Sequence, residues 1–480
     1  MRVAVESIMG RNAMPAGVSP AIRRRIEALL DRSKAKYVTV AAVDHHAQLR
    51  GQVMNRSAFS SCLSGGVPFL PEVMMGLDVG DEIFRVEGFL DADMAFADQA
   101  SRVVVESPRR LPFYPDHANY FFFAECPPEN TGHGYDPRVL YRTAEARLDA
   151  LGLTPVQGVE YEYRIYRETA HSAVAKQFEH LIPHTAISGY MNVLQQGNSS
   201  DYLFGLLEAC ETLDVPIAGL HYEHGLGMLE VALGPQRSIV AADNAVLFKT
   251  FAKIYASRQE TLASFMAKPN AEEDGGCMHT HVSLLNRSGR NAFYAAREPH
   301  CMSATMRHFI AGVQQLLPDA LLMVAPHVNS MRRFVVDHFA PVAATWGIQN
   351  RTAAIRVVPG SRTGQRIEFR PAGADANPYL VMAFVLSAGA WGIERKLEPG
   401  PIEEGNTGMR LKRMPKRLRF PATFQEAIER FQGAKITREL FGDDFVDSYA
   451  GARQAQLDVL KVHRGRAAWR AERARFLIGA

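Results

Sequence analysis

The chain has 480 residues, 47% of them hydrophobic and 22% charged, and its 54 basic and 51 acidic side chains leave a formal charge of +3. That length suffices for a large core and two domains, and the near-balance of charge argues against a dedicated nucleic-acid binder. No uncharged apolar run reaches the roughly 20 residues of a membrane helix, no signal-peptide apolar region opens the chain, and five scattered cysteines without a CxxC pair favour a reduced, cytoplasmic setting.

Residues 1–17 show no clear period. Ser19 and Pro20 read as a cap and a first-turn proline. Ile22, Ile26, Leu29 and Leu30 follow at helical spacing, which predicts a helix over 20–34. Residues 37–43 are rich in β-branched side chains and predict a strand, with a turn at 44–48 and a return strand at 49–54. His45 and His46 fall in that turn and read as solvated turn residues rather than a metal pair. Short strands and loops continue to about 127, including an apolar strand at 120–124. The turn formers of 126–134 mark the expected domain boundary. Downstream, helices are predicted at 137–151, 202–213, 239–268, 304–317 and 379–396. Strands are predicted at 159–166, 217–222, 278–285 and 367–370. These strands do not alternate regularly with helices, which points to an α+β class rather than a doubly wound one. The basic run at 410–419 lacks interleaved aromatics and reads as a solvated loop or a subunit contact.

Chemistry concentrates on three of the predicted strands. Residues i and i+2 of a strand share a face, so Glu160 and Glu162 project together in Gly158-Val-Glu-Tyr-Glu-Tyr163. His279 and His281 do the same in Met278-His-Thr-His-Val282. Arg366, Glu368 and Arg370 do so in Arg366-Ile-Glu-Phe-Arg370. A fourth segment, His221-Tyr-Glu-His-Gly-Leu-Gly-Met-Leu-Glu230, sets Glu223 and Glu230 on either side of a glycine-containing bend. If these faces converge, the like charges repel at short range. Hard divalent cations, Mg²⁺ or Mn²⁺, would remove the conflict. Arg333, Arg351, Arg356 and Arg370 add a cationic set suited to phosphate and carboxylate. Metals on one side and arginines on the other is a layout for phosphoryl transfer. Neither a Walker A motif nor GxGxxG is present.

These segments, with Asp274-Gly-Gly-Cys-Met-His-Thr-His-Val-Ser283, Asn329-Ser-Met-Arg-Arg333, Asn350-Arg-Thr-Ala-Ala-Ile-Arg356 and Asn377-Pro-Tyr379, resemble the successive motifs of glutamine synthetase. They occur in family order over about residues 35–460. The resemblance implies an N-terminal extension and helix (1–34), a β-grasp-like domain (35–128) and a catalytic domain of antiparallel sheet and helices (129–480). It implies a double-ring dodecamer with active sites between neighbouring subunits. One metal would be held by Glu162, Glu223 and Glu230, and another by Glu160, His279 and Glu368, with two to three Mg²⁺ or Mn²⁺ ions per site. Arg333 would grip the α-carboxylate of glutamate, with Gly275 and Glu162 nearby and Arg370 close to the γ-carboxyl. Arg351 and Arg356 would hold the transferring phosphate, and His281, Ser283 and Arg366 would contact ATP. Arg351, Arg333 and Arg370 are the expected catalytic residues. The family activates glutamate as γ-glutamyl phosphate, which a nitrogen nucleophile converts to an amide.

Two positions depart from that pattern. Ammonia-using members carry an acid six residues after the arginine that matches Arg333, where this chain has Phe339. They carry another acid in the N-terminal domain, where Gly66-Val-Pro-Phe-Leu-Pro71 offers Leu70. Apolar groups there withhold the counter-charge that ammonium needs and suit an apolar substituent on the nitrogen. Aniline-type amines are already neutral near pH 7. The chain therefore looks most like the γ-glutamylamide synthetases, of γ-glutamylanilide type, with a role in amine catabolism and aniline degradation. Asp337, His338 and Glu72 are alternative sources of a base. The alternatives are an alkylamine, polyamine or ethanolamine ligase, an ordinary glutamine synthetase, and, in another class, a non-catalytic scaffold of the same fold. No tyrosine occurs from 380 to 448, so the adenylylation of some bacterial members is not expected here.

Overall fold

The computed structural model describes residues 17–84, 86, 98–126, 136–336 and 340–480, without the side chains of 71–73. The first helix, Pro20–Arg32, starts where Ser19 accepts a hydrogen bond from the Ile22 amide and turns Ile26 and Leu30 inward. Six strands form the N-terminal sheet: β1 (Tyr37–Val43), β2 (Leu49–Asn55), β3 (Val67–Phe69), β4 (Gln99–Val103), β5 (Arg109–Arg110) and β6 (Tyr120–Glu125). Their order is β2-β1-β6-β4-β3, with β5 also on β6. β1 and β6 run parallel, and the other pairs run antiparallel. The expected boundary at 126–134 falls almost wholly outside the described residues.

The turn carrying His45 and His46 departs from the solvated reading. Both imidazoles are buried, at 2% exposure each. The His45 ring packs on Phe445 and Tyr449 of the helix Asp443–Leu460, and His46 stacks on His327. Asn377 also donates to the Asp44 carbonyl at 2.9 Å. The turn is a docking point for the second half of the chain, and burial holds the His46 imidazole well below its ordinary range.

The large sheet has nine strands: β7 (Leu153–Tyr166), β8 (Ile217–Tyr222), β9 (Met228–Leu233), β10 (Gln236–Arg237), β11 (Leu262–Ser264), β12 (Met278–Asn286), β13 (Trp346–Ile348), β14 (Ile355–Val358) and β15 (Arg366–Phe369). Their order is β13-β14-β15-β12-β7-β9-β8, with β10 and β11 added on β7. All pairs are antiparallel except β13–β14. The helix expected over 239–268 is shorter: it spans Val240–Arg258, and the chain then returns as β11 against β7. Glu260 takes a positive φ of 54° at that break. Sheet pairing and burial of Leu262 and Phe265 outweigh the local helical period. The helix Pro378–Glu394 is apolar on all sides, and its first fifteen residues are buried. No helix among the described residues is long and apolar enough to cross a membrane.

Candidate functional site

Strands β15, β7 and β9 supply Glu368, Glu160, Glu162 and Glu230, β12 supplies His279 and His281, and Glu223 follows β8. On β7 the side chains of Val159, Tyr161 and Tyr163 enter the core, where Tyr161 and Tyr163 pack on Phe248 and Phe265. Glu160 and Glu162 are thereby committed to the opposite face. Register carries that face across the sheet: His279 lies opposite Glu160, Glu230 opposite Glu162, and Glu368 opposite His281. β8 sets His221 opposite Glu230, and β14 sets Arg356 opposite Glu368. Between β8 and β9 the bend uses Gly225 at φ 118° and Gly227 at φ 64°. A Cβ on Gly227 would lie 2.4 Å from the Ile165 carbonyl, so the turn needs glycine.

The acids converge in two groups. Glu160, His279 and Glu368 offer ligand atoms all within 4.8 Å of one another, the set expected for one metal. His279 Nδ1 is 3.7 Å from Glu160 and 3.6 Å from Glu368, and His281 Nε2 is 2.9 Å from Glu160. Of the second expected set, Glu223 and Glu230 converge with His221. Glu162 stands opposite Glu230 in register and also groups with Cys277 and His279.

Electrostatics mark the same place. Burial and then repulsion from Glu162 and Glu160 push the Glu230 carboxyl up to about 8. Burial also works against Glu160, but hydrogen bonds from His279 and His281 outweigh it and hold that carboxyl well below the usual range. Glu368 is similar: His279, Arg370, His281 and Arg356 overcome its burial and bring it to about 2. At Glu223 the effect of burial is overcome by His221, the His224 amide and Arg351. An oxygen-rich cluster with imidazole, in which burial and neighbouring carboxylates raise the Glu230 carboxyl, fits Mg²⁺ or Mn²⁺.

The arginines rim these acids. Arg356 donates to Glu368 at 2.8 Å and also to Gln349. Arg370 pairs with Glu368 and donates to the Arg351 carbonyl at 3.0 Å. Arg366 donates to His281 at 3.1 Å, joining two of the expected nucleotide contacts. The third, Ser283, is half-buried on β12 at the alternation of His279 and His281. Arg333 is 5% exposed, donates to the Pro371 carbonyl, and keeps Nε buried without a hydrogen-bond partner among the described residues. Gly275 lies against it: a Cβ there would be 2.6 Å from both Arg333 Cγ and the Ala267 carbonyl. Arg351 is exposed. Leu70 is half-buried in the N-terminal domain, between β3 and the helix Pro71–Gly76. Phe339, with Asp337 and His338, lies outside the described residues. A cleft of about 840 Å³ lined by Arg109, Leu207 and Asp214 carries none of these residues, so the chemistry of the donors, rather than cavity size, identifies the site.

Three site neighbours escaped the sequence reading. His221 and Cys277 each stand two residues before a flagged ligand, Glu223 and His279, so the same alternation could have found them. Tyr190 had no local signal. Its half-exposed ring meets His221 edge-on at 6.2 Å, because the Met191 amide bonds to the Tyr222 carbonyl.

A model of the glutamine synthetase catalytic domain matches residues 134–472. A type-1 glutamine synthetase of Dictyostelium discoideum is 33% identical over 427 residues, covering 88% of this chain and 80% of that protein. A γ-glutamylethanolamide synthetase of Streptomyces coelicolor is 32% identical over 386 residues, covering 80% and 81%. Among solved structures, a GmaS/ADP complex superposes with a TM-score of 0.79 at 21% identity, over 93% of this chain and 98% of that one.

Proposed function

The chain belongs to the glutamine synthetase family, an ATP-dependent carbon–nitrogen ligase, and from that premise we propose that it joins the γ-carboxyl of L-glutamate to an amine with an apolar substituent, an arylamine such as aniline. The observation that carries the ligase chemistry is the convergence of Glu160, Glu368 and His279 beside Glu162, Glu223 and Glu230 under a rim of arginines. Leu70 and Phe339 support the choice of amine. In this reading Glu160, His279 and Glu368 hold one divalent ion, and Glu162, Glu223 and Glu230 hold another. When bound, these ions supply positive charge to the phosphates of ATP.

Arg333 and Gly275 orient the α-carboxylate of glutamate, and the buried, unpaired Nε of Arg333 is the free donor for it. Arg370 and Glu162 position the side chain. His281, Ser283 and Arg366 hold the nucleotide. Arg351 and Arg356 neutralise the transferring phosphoryl group. A γ-carboxylate oxygen attacks the γ-phosphorus and ADP leaves. The amine nitrogen then attacks the acyl carbon of the γ-glutamyl phosphate, phosphate leaves, and the nitrogen loses a proton. A neutral arylamine enters that step with its lone pair free, so the pocket needs no strong base. Leu70 and Phe339 line it with apolar surface, in an active site shared between subunits of a cytoplasmic dodecamer.

A second reading is favoured by a specific finding: the Streptomyces relative is named for γ-glutamylethanolamide. A small alkylamine or ethanolamine would then be the partner. A competition assay with equimolar aniline and ethanolamine, its products separated by mass, decides between them. Predominant γ-glutamylanilide supports the arylamine, and predominant γ-glutamylethanolamide overturns it.

A further inference from the structure

Cys277 adds a soft ligand to an otherwise oxygen-rich site. It directly precedes β12, with its side chain two residues before His279, and both are buried, at 4% and 6% exposure. Its Sγ lies 2.9 Å from His279 Nε2. The other ring nitrogen, Nδ1, faces Glu160 and Glu368. Glu162 completes the group: Glu162, Cys277 and His279 offer ligand atoms all within 4.8 Å of one another. One imidazole therefore stands between two donor sets of different character. Nδ1 is nearer the two carboxylates, at 3.6–3.7 Å, than the thiol, at 3.8 Å. On the Nε2 side are a thiol and a carboxylate.

We propose that Glu162, Cys277 and His279 form a thiophilic metal site, which takes Zn²⁺ or Co²⁺ in preference to Mg²⁺. Sulfur, imidazole and carboxylate with one open position is the donor set that zinc accepts, whereas Mg²⁺ selects oxygen. As the sulfur–metal bond forms, the thiol proton leaves to solvent. Thiolate and carboxylate together balance the charge of the divalent ion. In tetrahedral geometry Sγ and Nε2 sit about 3.5 Å apart, so the two have to part by roughly half an ångström. The half-buried Glu162 leaves a route for the ion from the exposed side.

This site shares Glu162 and His279 with the ions of the ligase reading, and in that respect it rests on that reading. Zinc bound here withdraws both residues from the Mg²⁺ sites and blocks the reaction. The binding itself needs neither ATP nor glutamate, so it is tested apart from catalysis. Metal-stripped, reduced enzyme is titrated with Co²⁺ under argon, and absorbance is followed in the near ultraviolet, where sulfur-to-cobalt charge transfer appears. The wild type is expected to develop this band to saturation at one Co²⁺ per protomer, in the presence of a hundredfold excess of Mg²⁺. Cys277→Ser is expected to lack the band and to bind Zn²⁺ at least tenfold more weakly. Cys210→Ser, which alters another buried cysteine, serves as the control for folding and must keep the band. No band in the wild type, or an undiminished band in Cys277→Ser, overturns the proposal and leaves the thiol as a hydrogen-bond partner of His279. Failure of Mg²⁺-dependent ligation with a normal cobalt band would instead overturn the ligase reading alone.

Discussion

Glu230 offers a quantitative test of the two-metal arrangement. Its carboxyl is 17% exposed and is pushed from 4.5 to about 8 by burial and by the neighbouring Glu162 and Glu160. A rise of that size corresponds to about 5 kcal/mol of strain on the charged form. At pH 7 the metal-free enzyme therefore keeps this carboxyl mostly protonated. A divalent ion binds the carboxylate, so it must expel the proton. Apparent affinity for Mn²⁺ should then fall about tenfold for each pH unit below 8. Titration calorimetry at pH 7, in two buffers of different ionisation enthalpy, counts the protons released. Wild type is expected to release close to one more proton per protomer than Glu230→Gln. The variant resembles the protonated carboxyl and should be about as stable as wild type without metal at pH 7. Equal proton release by the two proteins would refute the reasoning.

Four further outcomes follow from named residues. Replacing Phe339 with Glu should raise the ratio of ammonium to aniline turnover, measured as kcat/KM for each amine, and an unchanged ratio removes that residue from the selectivity argument. Arg138 is fully buried and pairs with Glu125 at 3.2 Å and with Asp243. Arg138→Met leaves buried Asp243 with the Tyr379 hydroxyl but without its arginine, while Glu125 keeps Arg102 and Arg142, so urea unfolding should show a loss of about 3–5 kcal/mol. Gly275→Ala forces a Cβ into Arg333 and should raise KM for glutamate tenfold or more, while KM for the amine stays put. Burial raises Asp136, which caps the helix Pro137–Ala150, to about 6. Between about pH 4 and pH 6 the folded state holds a proton that the unfolded chain has lost. Stability therefore declines through that window, by about 3 kcal/mol in all, and is flat above it. Asp136→Asn keeps a capping oxygen and should lose that slope in denaturation curves taken at each pH.

Much of the site was legible because its geometry is that of a strand. Alternation alone places Glu160 with Glu162, and His279 with His281, on one face, and the apolar residues between them explain why that face is the free one. The bend between Glu223 and Glu230 was legible from its two glycines. Convergence was not, since it depends on the register among β7, β9, β12 and β15, which no single segment encodes. Glu162 meets Cys277 just before β12, where the Glu162 amide donates to the Cys277 carbonyl at 2.9 Å. His45 and His46 misled for a similar reason: the helix that buries them lies some four hundred residues away in sequence. The overlong helix at 239–268 shows strand pairing to β7 overriding a local period. The assignment of Leu70 and Phe339 to an amine pocket rests on family pattern, with no periodicity to locate it.

The most direct test of the account is phosphate release from ATP with glutamate and Mg²⁺ or Mn²⁺ across a panel of amines. The panel holds ammonium, aniline and chloroanilines, isopropylamine, ethanolamine and putrescine, with each product identified by mass. Metal-dependent turnover with the anilines that exceeds turnover with ammonium is the predicted result. Turnover led by ammonium or putrescine would contradict it, because an acid at a sequence position other than Leu70 and Phe339 would then have to serve the amine.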